Sequence, residues 1–198
     1  MKLYPNKLLA LSLLLLFAIV IASCSPKPNP VDVVKAYENA YNAYHLHTLL
    51  PLLADDVTFE VVGQFVVKGK EDVRQVAEHD FALTIHMSFS GFTTKGDTVF
   101  CDLTETNDWL KTAGIGEARY AGKFVVEGGL IKLIEGKLTP ETDKALSQVL
   151  NPLMEWASKE RPEQLAQMMP EGKFVYNAEN ALESLALLRE WQEATKSE

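Results

Sequence analysis

Hydrophobic and polar positions along the chain change period several times, and each change marks an element. From Val31 to Tyr44 the apolar residues Val34, Tyr37, Tyr41 and Tyr44 fall at three- and four-residue steps, which predicts a helix with one buried face. Pro30 suits its first turn and Asp32 its positive end. A second short helix is predicted over Leu46–Leu53. Val57–Val62 reads as a strand, with Asp55-Asp56 before it and Gly63 after it, and Phe65–Val67 as a short extended piece. Lys70–Leu83 returns to helical spacing, with Glu71 and Asp72 in the first turn and Val73, Val76, Ala77 and Phe81 inward.

A period of two follows. Ile85, Met87 and Phe89 alternate within Thr84–Thr94, and Val99, Cys101 and Leu103 within Thr98–Asp108, across a Lys95-Gly96-Asp97 turn. Trp109-Leu110 then opens a loop containing Gly114 and Gly116, a mobile cap for whatever lies beneath. Ala118–Val126 and Leu130–Leu138 are joined by Gly128-Gly129, a pair suited to the positive φ angles of a tight hairpin. This order predicts an α+β fold.

After Leu138 the pattern is helical again. Thr139-Pro140-Glu141 reads as cap, first-turn proline and first-turn acid. Ala145, Leu146, Val149, Leu150, Leu153 and Met154 keep one face apolar, with Pro152 expected to kink or divide the helix. Arg161-Pro162 breaks the face, Phe174-Val175-Tyr176 is extended, and Asn177 caps a last helix with Ala181, Leu182, Leu185, Leu188 and Trp191 inward. A tail this rich in leucine and tryptophan is expected to pack over the domain as a brace or lid.

The N-terminus follows another rule. Lys2 and Lys7 precede Leu8–Ala22, an uncharged and almost wholly apolar run of 15 residues, short for a membrane-spanning helix and suited to a signal peptide. The run ends Ile21-Ala22-Ser23-Cys24, which resembles a bacterial lipobox. The expected organisation is residues 1–23 as signal peptide, 24–30 as a Pro-rich tether, 31–138 as the main domain and 139–198 as a helical extension. Cys24 is then the lipidated residue, and the protein sits in the cell envelope, membrane-anchored by lipid and facing outside the cytoplasm. Cys101 is left alone in an alternating strand and reads as a buried, inert thiol.

Composition narrows the function classes. The 198 residues are 47% hydrophobic and 23% charged, with a formal net charge of −8 and a pI near 5.1. That balance excludes wholesale disorder and argues against a nucleic-acid partner, since no basic patch is present. There is no Gly-rich phosphate loop, nucleophile elbow or C-x-x-C, so no cofactor is expected. His45 and His47 form an H-x-H pair without a third ligand, and His79 and His86 add no matching spacing, so no metal is expected either.

The segments VVKAYENAYNAYHLHTLLPLLADDVTFEVVG, VKGKEDVRQV and TETNDWLKTAGIGEARYAGKFVVEGGLIKL, in this order, resemble the nuclear transport factor 2-like, or SnoaL-like, superfamily. The resemblance implies a curved antiparallel sheet wrapped as a cone around three helices, an apolar cavity at its wide end, and pairing as a homodimer through the sheet. It also places Tyr37 where ketosteroid-isomerase-like relatives keep a tyrosine that donates a hydrogen bond to substrate oxygen. Their general base falls on Val61 and their third acid near Ala121, so that isomerase chemistry is not expected. The Asp-Arg-Asp set of epoxide-hydrolase relatives is matched only by Asp102, Arg119 and Asp108, and alternation turns Asp102 and Asp108 outward.

On the inward face, parity adds Glu105 and Asn107 to Val99 and Leu103, and Tyr120 to Phe124. The candidate ligand-binding set is therefore Tyr37, Tyr41, Glu105, Asn107, Trp109 and Tyr120, with Tyr37 and Glu105 the best candidates for chemistry. Tyr37 and Tyr41 equally fit a core aromatic stripe, and Glu105 and Asn107 a wet strand end. Three functions remain: a membrane-tethered domain binding a small apolar or amphipathic molecule; a SnoaL-like isomerase, cyclase or hydrolase; and a structural module whose cavity is filled by its own side chains. The lipobox generates the first test. Cys24→Ser is expected to leave the chain unprocessed and unlabelled by radioactive palmitate, and normal processing of that variant would refute the assignment.

Overall fold

The computed structural model describes residues 28–196. Cys24, the signal segment and most of the tether fall outside them. The chain enters at Pro28, against the Gly129 turn. Asn29 caps the first helix, accepting from the Val31 amide at 3.0 Å, and α1 runs Pro30–Asn42. It ends earlier than its tyrosine spacing suggests. Tyr44 takes a left-handed φ of 57° beyond the helix, is half-exposed, and donates its hydroxyl to the Ile85 carbonyl at 2.8 Å. A short α2 (Leu46–Leu49) and a 3-10 turn (Leu50–Leu52) lead into β1 (Leu53–Val61), which starts four residues before the predicted strand.

Then come β2 (Phe65–Lys68), α3 (Lys70–Ala82), β3 (His86–Lys95) and β4 (Thr98–Thr106). Trp109 and Leu110 do not open a loop. They sit on a short helix, α4 (Asp108–Thr112), because the Asn107 side chain caps it by accepting from the Leu110 amide at 2.7 Å. β5 (Ala118–Glu127) and β6 (Leu130–Leu138) form the predicted hairpin, with φ of 59° at Gly128 and 85° at Gly129.

The six strands form one sheet in the order β2-β1-β6-β5-β4-β3. All neighbours pair antiparallel except β1 and β6, which run parallel. Register shifts in β1–β6, β3–β4 and β5–β6 bend the sheet into the expected cone. One core lies inside it: Tyr37 and Tyr41 of α1 pack with Val73 of α3, Phe89 of β3 and Phe124 of β5. Cys101 points into this core against Gly122, where a Cβ would come within 2.9 Å of its Sγ. Burial pushes that thiol up to about 12.

The C-terminal segment forms α5 (Pro140–Glu160), α6 (Pro162–Met168), a 3-10 turn (Pro170–Gly172) and α7 (Ala178–Lys196). Thr139 caps α5 as predicted. Pro152 does not divide the helix, because it lies on the exposed side, where the one lost backbone bond faces water. Asn177 caps α7. A second core joins Leu153 and Ala157 of α5, Met168 of α6 and Leu185, Leu187 and Leu188 of α7 to Trp109 and Leu110 of α4. Leu182 is not part of it: Leu182 is 55% exposed, and Leu187, on the neighbouring helical row, is the buried leucine. Backbone ties hold the tail in place. The Thr142 hydroxyl accepts from the Arg119 amide at 3.0 Å, and Gln192 donates to the Thr112 carbonyl at 2.8 Å.

This second core predicts an asymmetry along α7. Leu188→Ala should lower the unfolding free energy by about 2–4 kcal/mol, whereas Leu182→Ala should change it by less than about 0.5 kcal/mol, as read by urea denaturation.

Candidate functional site

α1 and α3 present their apolar stripes to the concave sheet, and both stripes carry polar atoms with them. Tyr37 is 1% exposed, and its ring lies 5.8 Å from Phe124 and 6.5 Å from Phe89. Its hydroxyl is buried and has no hydrogen-bond partner among the described residues. One turn on, the Tyr41 hydroxyl donates to Asp80 Oδ2 at 2.6 Å. The other oxygen of Asp80 lies 2.9 Å from His79 Nδ1. Asp80 and His79 were not among the sequence candidates. The signal was present: Asp80 continues the Val73, Val76, Ala77 stripe by one helical step, an acid on a face otherwise reserved for the core.

The sheet contributes the second acid. β4 alternation turns Glu105 inward, and the strand is still half-buried there. Tyr120 donates to Glu105 Oε2 at 2.9 Å and Asn107 donates to Oε1 at 2.7 Å. Asn107 thus does two jobs, capping α4 with its oxygen and holding Glu105 with its nitrogen. Burial pushes the Glu105 carboxyl up to about 7, and the Asp80 carboxylate adds to the rise; the two hydrogen bonds pull the other way. Burial, with Asp80 beside them, also holds the Tyr37 and Tyr41 phenols well above their ordinary range, so both stay protonated donors.

These groups line a cavity of about 180 Å³ inside the cone, walled by residues such as Phe59, Met87, Leu103 and Ile134. A second chamber of about 430 Å³ lies between the cone and the tail, walled by Leu146, Leu153 and Met154 of α5 and by Met168 of α6. Gln64, His79, Glu105, Asn107, Tyr120 and Tyr176 line both, so the two spaces meet at a polar waist. Tyr176, from the segment before α7, closes one side of that waist, with its ring 4.2 Å from Phe65 and 5.2 Å from His79. Tyr37 and Tyr41 line the inner cavity only, and Trp109 the outer chamber only.

The remaining positions separate. Val61 lines the inner cavity and brings no acid there. Ala121 is exposed on the convex face, because Tyr120 and Gly122 hold the inward parity, so counting to Ala121 lands on the wrong side of the sheet. Asp102 is exposed, Arg119 pairs with Glu117, and Asp108 accepts from Thr84 at 2.9 Å, so these three are not assembled as a water-orienting set. The His45 and His47 rings lie 5.1 Å apart, tilted by 36°, and no group of three metal-ligating side chains occurs among the described residues.

The SnoaL-like domain family matches residues 33–134. The chain belongs to this family. Its SnoaL-like part has the nuclear transport factor 2-like cone, and the tail from Thr139 lies beyond the matched residues. Among solved structures, an LEH-like epoxide hydrolase of M. tuberculosis is 20% identical with a TM-score of 0.51, covering 64% of this chain and 95% of its own. SalBIII, an epoxide hydrolase/cyclase-like enzyme of pyran-ring formation in the polyether salinomycin, is 13% identical with a TM-score of 0.51, covering 57% and 92%. At these identities the likeness is one of fold. No curated protein matches the sequence.

The raised Glu105 carboxyl has a measurable consequence. Between about pH 4.5 and about 7 the folded SnoaL-like domain keeps a proton that the unfolded chain has released, so stability falls as pH rises through that window. Glu105→Gln carries no such proton. Its stability relative to the native chain should rise across the window by up to about 3 kcal/mol and stay level above it, measured by urea unfolding at a series of pH values.

Proposed function

We propose that this SnoaL-like protein is a membrane-tethered domain of the cell envelope that binds a small apolar or amphipathic molecule in its cone cavity. One observation carries the reading. Tyr37 holds a protonated hydroxyl, buried among aromatic walls, that no group among the described residues accepts. A buried donor left without an acceptor costs about 1–3 kcal/mol, a cost that a ligand oxygen in the cavity would remove. Apolar walls with a few convergent polar groups are the usual make-up of a small-molecule site. The lipobox ending in Cys24 supports the tether.

A second reading has its own support. Glu105, near pH 7 in a cavity beside phenol donors, has the properties of a proton acceptor in catalysis, as an isomerase, cyclase or hydrolase would require. Binding is preferred, because Val61 stands where the resemblance places a base.

Tyr37→Phe tests the main reading. The empty variant should be more stable than the native protein by about 1 kcal/mol, since an unsatisfied hydroxyl is removed without loss of packing. The ligand retained on purification from the native envelope, identified by mass spectrometry, should fall about fivefold or more. A variant that loses stability and retains its ligand in full would show that the hydroxyl serves the fold alone.

A further inference from the structure

The inner cavity is small for a whole ligand. Its volume of about 180 Å³ lies below the roughly 300–1,000 Å³ of ordinary small-molecule sites. The chamber it opens into is more than twice as large and is built largely from helices beyond the SnoaL-like residues. The polar atoms are unevenly placed. The inner cavity holds the Tyr37 donor and the Asp80 and Glu105 carboxyls, while the α5 and α6 side of the outer chamber offers Leu146, Leu150, Leu153, Met154, Leu165 and Met168. Among the described residues neither lining contains a lysine or arginine, and the third acid of the inner lining, Glu135, is paired with Lys123 at 2.9 Å.

From this we infer that the ligand is an elongated amphiphile bound head-inward: an uncharged or cationic head that donates a hydrogen bond, a hydroxyl or an amine, sits beside Asp80 and Glu105, and its hydrocarbon chain passes the waist into the chamber under the tail helices. The inference rests on the binding reading above and adds the ligand class and the role of the C-terminal extension. A hydroxyl head accepts from Tyr37 and donates to a carboxylate; an amine donates to both acids. A carboxylate or phosphate head meets two acids and, among the described lining residues, no lysine or arginine, so fatty acids are selected against. Each Glu105 oxygen already accepts one bond and has room for another. The chain end lies along Leu150, which is 37% exposed, so the outer chamber is open to solvent there and sets no sharp limit on length.

Calorimetry with hexanol, decanol, decylamine and decanoate tests this on the purified protein. Each methylene buried in the outer chamber should tighten binding about fourfold, so decanol, with four more, should bind roughly 250-fold more tightly than hexanol. Decylamine should match or exceed decanol, and decanoate should be at least about tenfold weaker. Met154→Trp, which fills the chamber, should bring decanol down toward hexanol and cost hexanol far less. Leu150→Lys, at a half-exposed position outside the core, should weaken decanol in the same way. Equal affinity for hexanol and decanol, equal loss of both in the variants, or decanoate binding as well as decanol would overturn the inference while leaving cavity binding intact. Failure of all four probes to bind the native protein would overturn the binding reading itself.

Discussion

A curved sheet can hold a helix in its hollow only if the helix is fixed along its axis as well as pressed against the strands. Here three hydrogen bonds do this. Asn42 both donates to the Met87 carbonyl and accepts from the Met87 amide, at 2.7 and 2.8 Å, and Glu38 accepts from the Phe89 amide at 2.8 Å. β3 is the last strand of its sheet, so these backbone groups have no further strand to pair with. The side chains of α1 act as that missing neighbour. Once they are set, the depth of Tyr37 and Tyr41 in the cone follows, and with it the position of their two hydroxyls in the cavity.

The cost of that arrangement is concentrated in few groups. Two carboxyls and an unaccepted phenol sit where hydrophobic side chains would stabilise the fold more. Most of their bonding is internal: Tyr41 and His79 serve Asp80, and Tyr120 and Asn107 serve Glu105. The second core compensates on the other side. The tail covers the waist and adds a set of buried leucines that the cone itself does not need. The same helices that shape the outer chamber therefore help stabilise a domain whose own interior is compromised by polar atoms.

What the sequence disclosed tracks how local each cause is. Helical spacing alone exposed the buried face of α1, and strand parity alone turned Glu105, Asn107 and Tyr120 inward, because both periodicities are properties of consecutive residues. The Gly128-Gly129 hairpin and the Thr139 and Asn177 caps were legible for the same reason. The end of α1 was not, because Tyr44 leaves the helix and bonds the Ile85 carbonyl just before β3, which is remote in sequence. The α4 helix was hidden by Gly114 and Gly116, which suggested a loop, while Asn107 was read only as a site residue and not as a cap. Tyr176 reaches the waist through the packing of α7 on α3, a long-range contact that no spacing announces. Asp80 could have been found by asking which polar residues interrupt an apolar stripe, since its neighbours on that stripe were all correctly placed.

The described chain begins at Pro28, packed on the turn between β5 and β6, and this sets a direction. The waist sits at the other end of the same strand, near Tyr120. From Tyr120 to Glu127 the strand is about 23 Å long at roughly 3.3 Å per residue. Pro28 and the open chamber therefore lie at opposite ends of β5, so anything docked on one end leaves the other end clear.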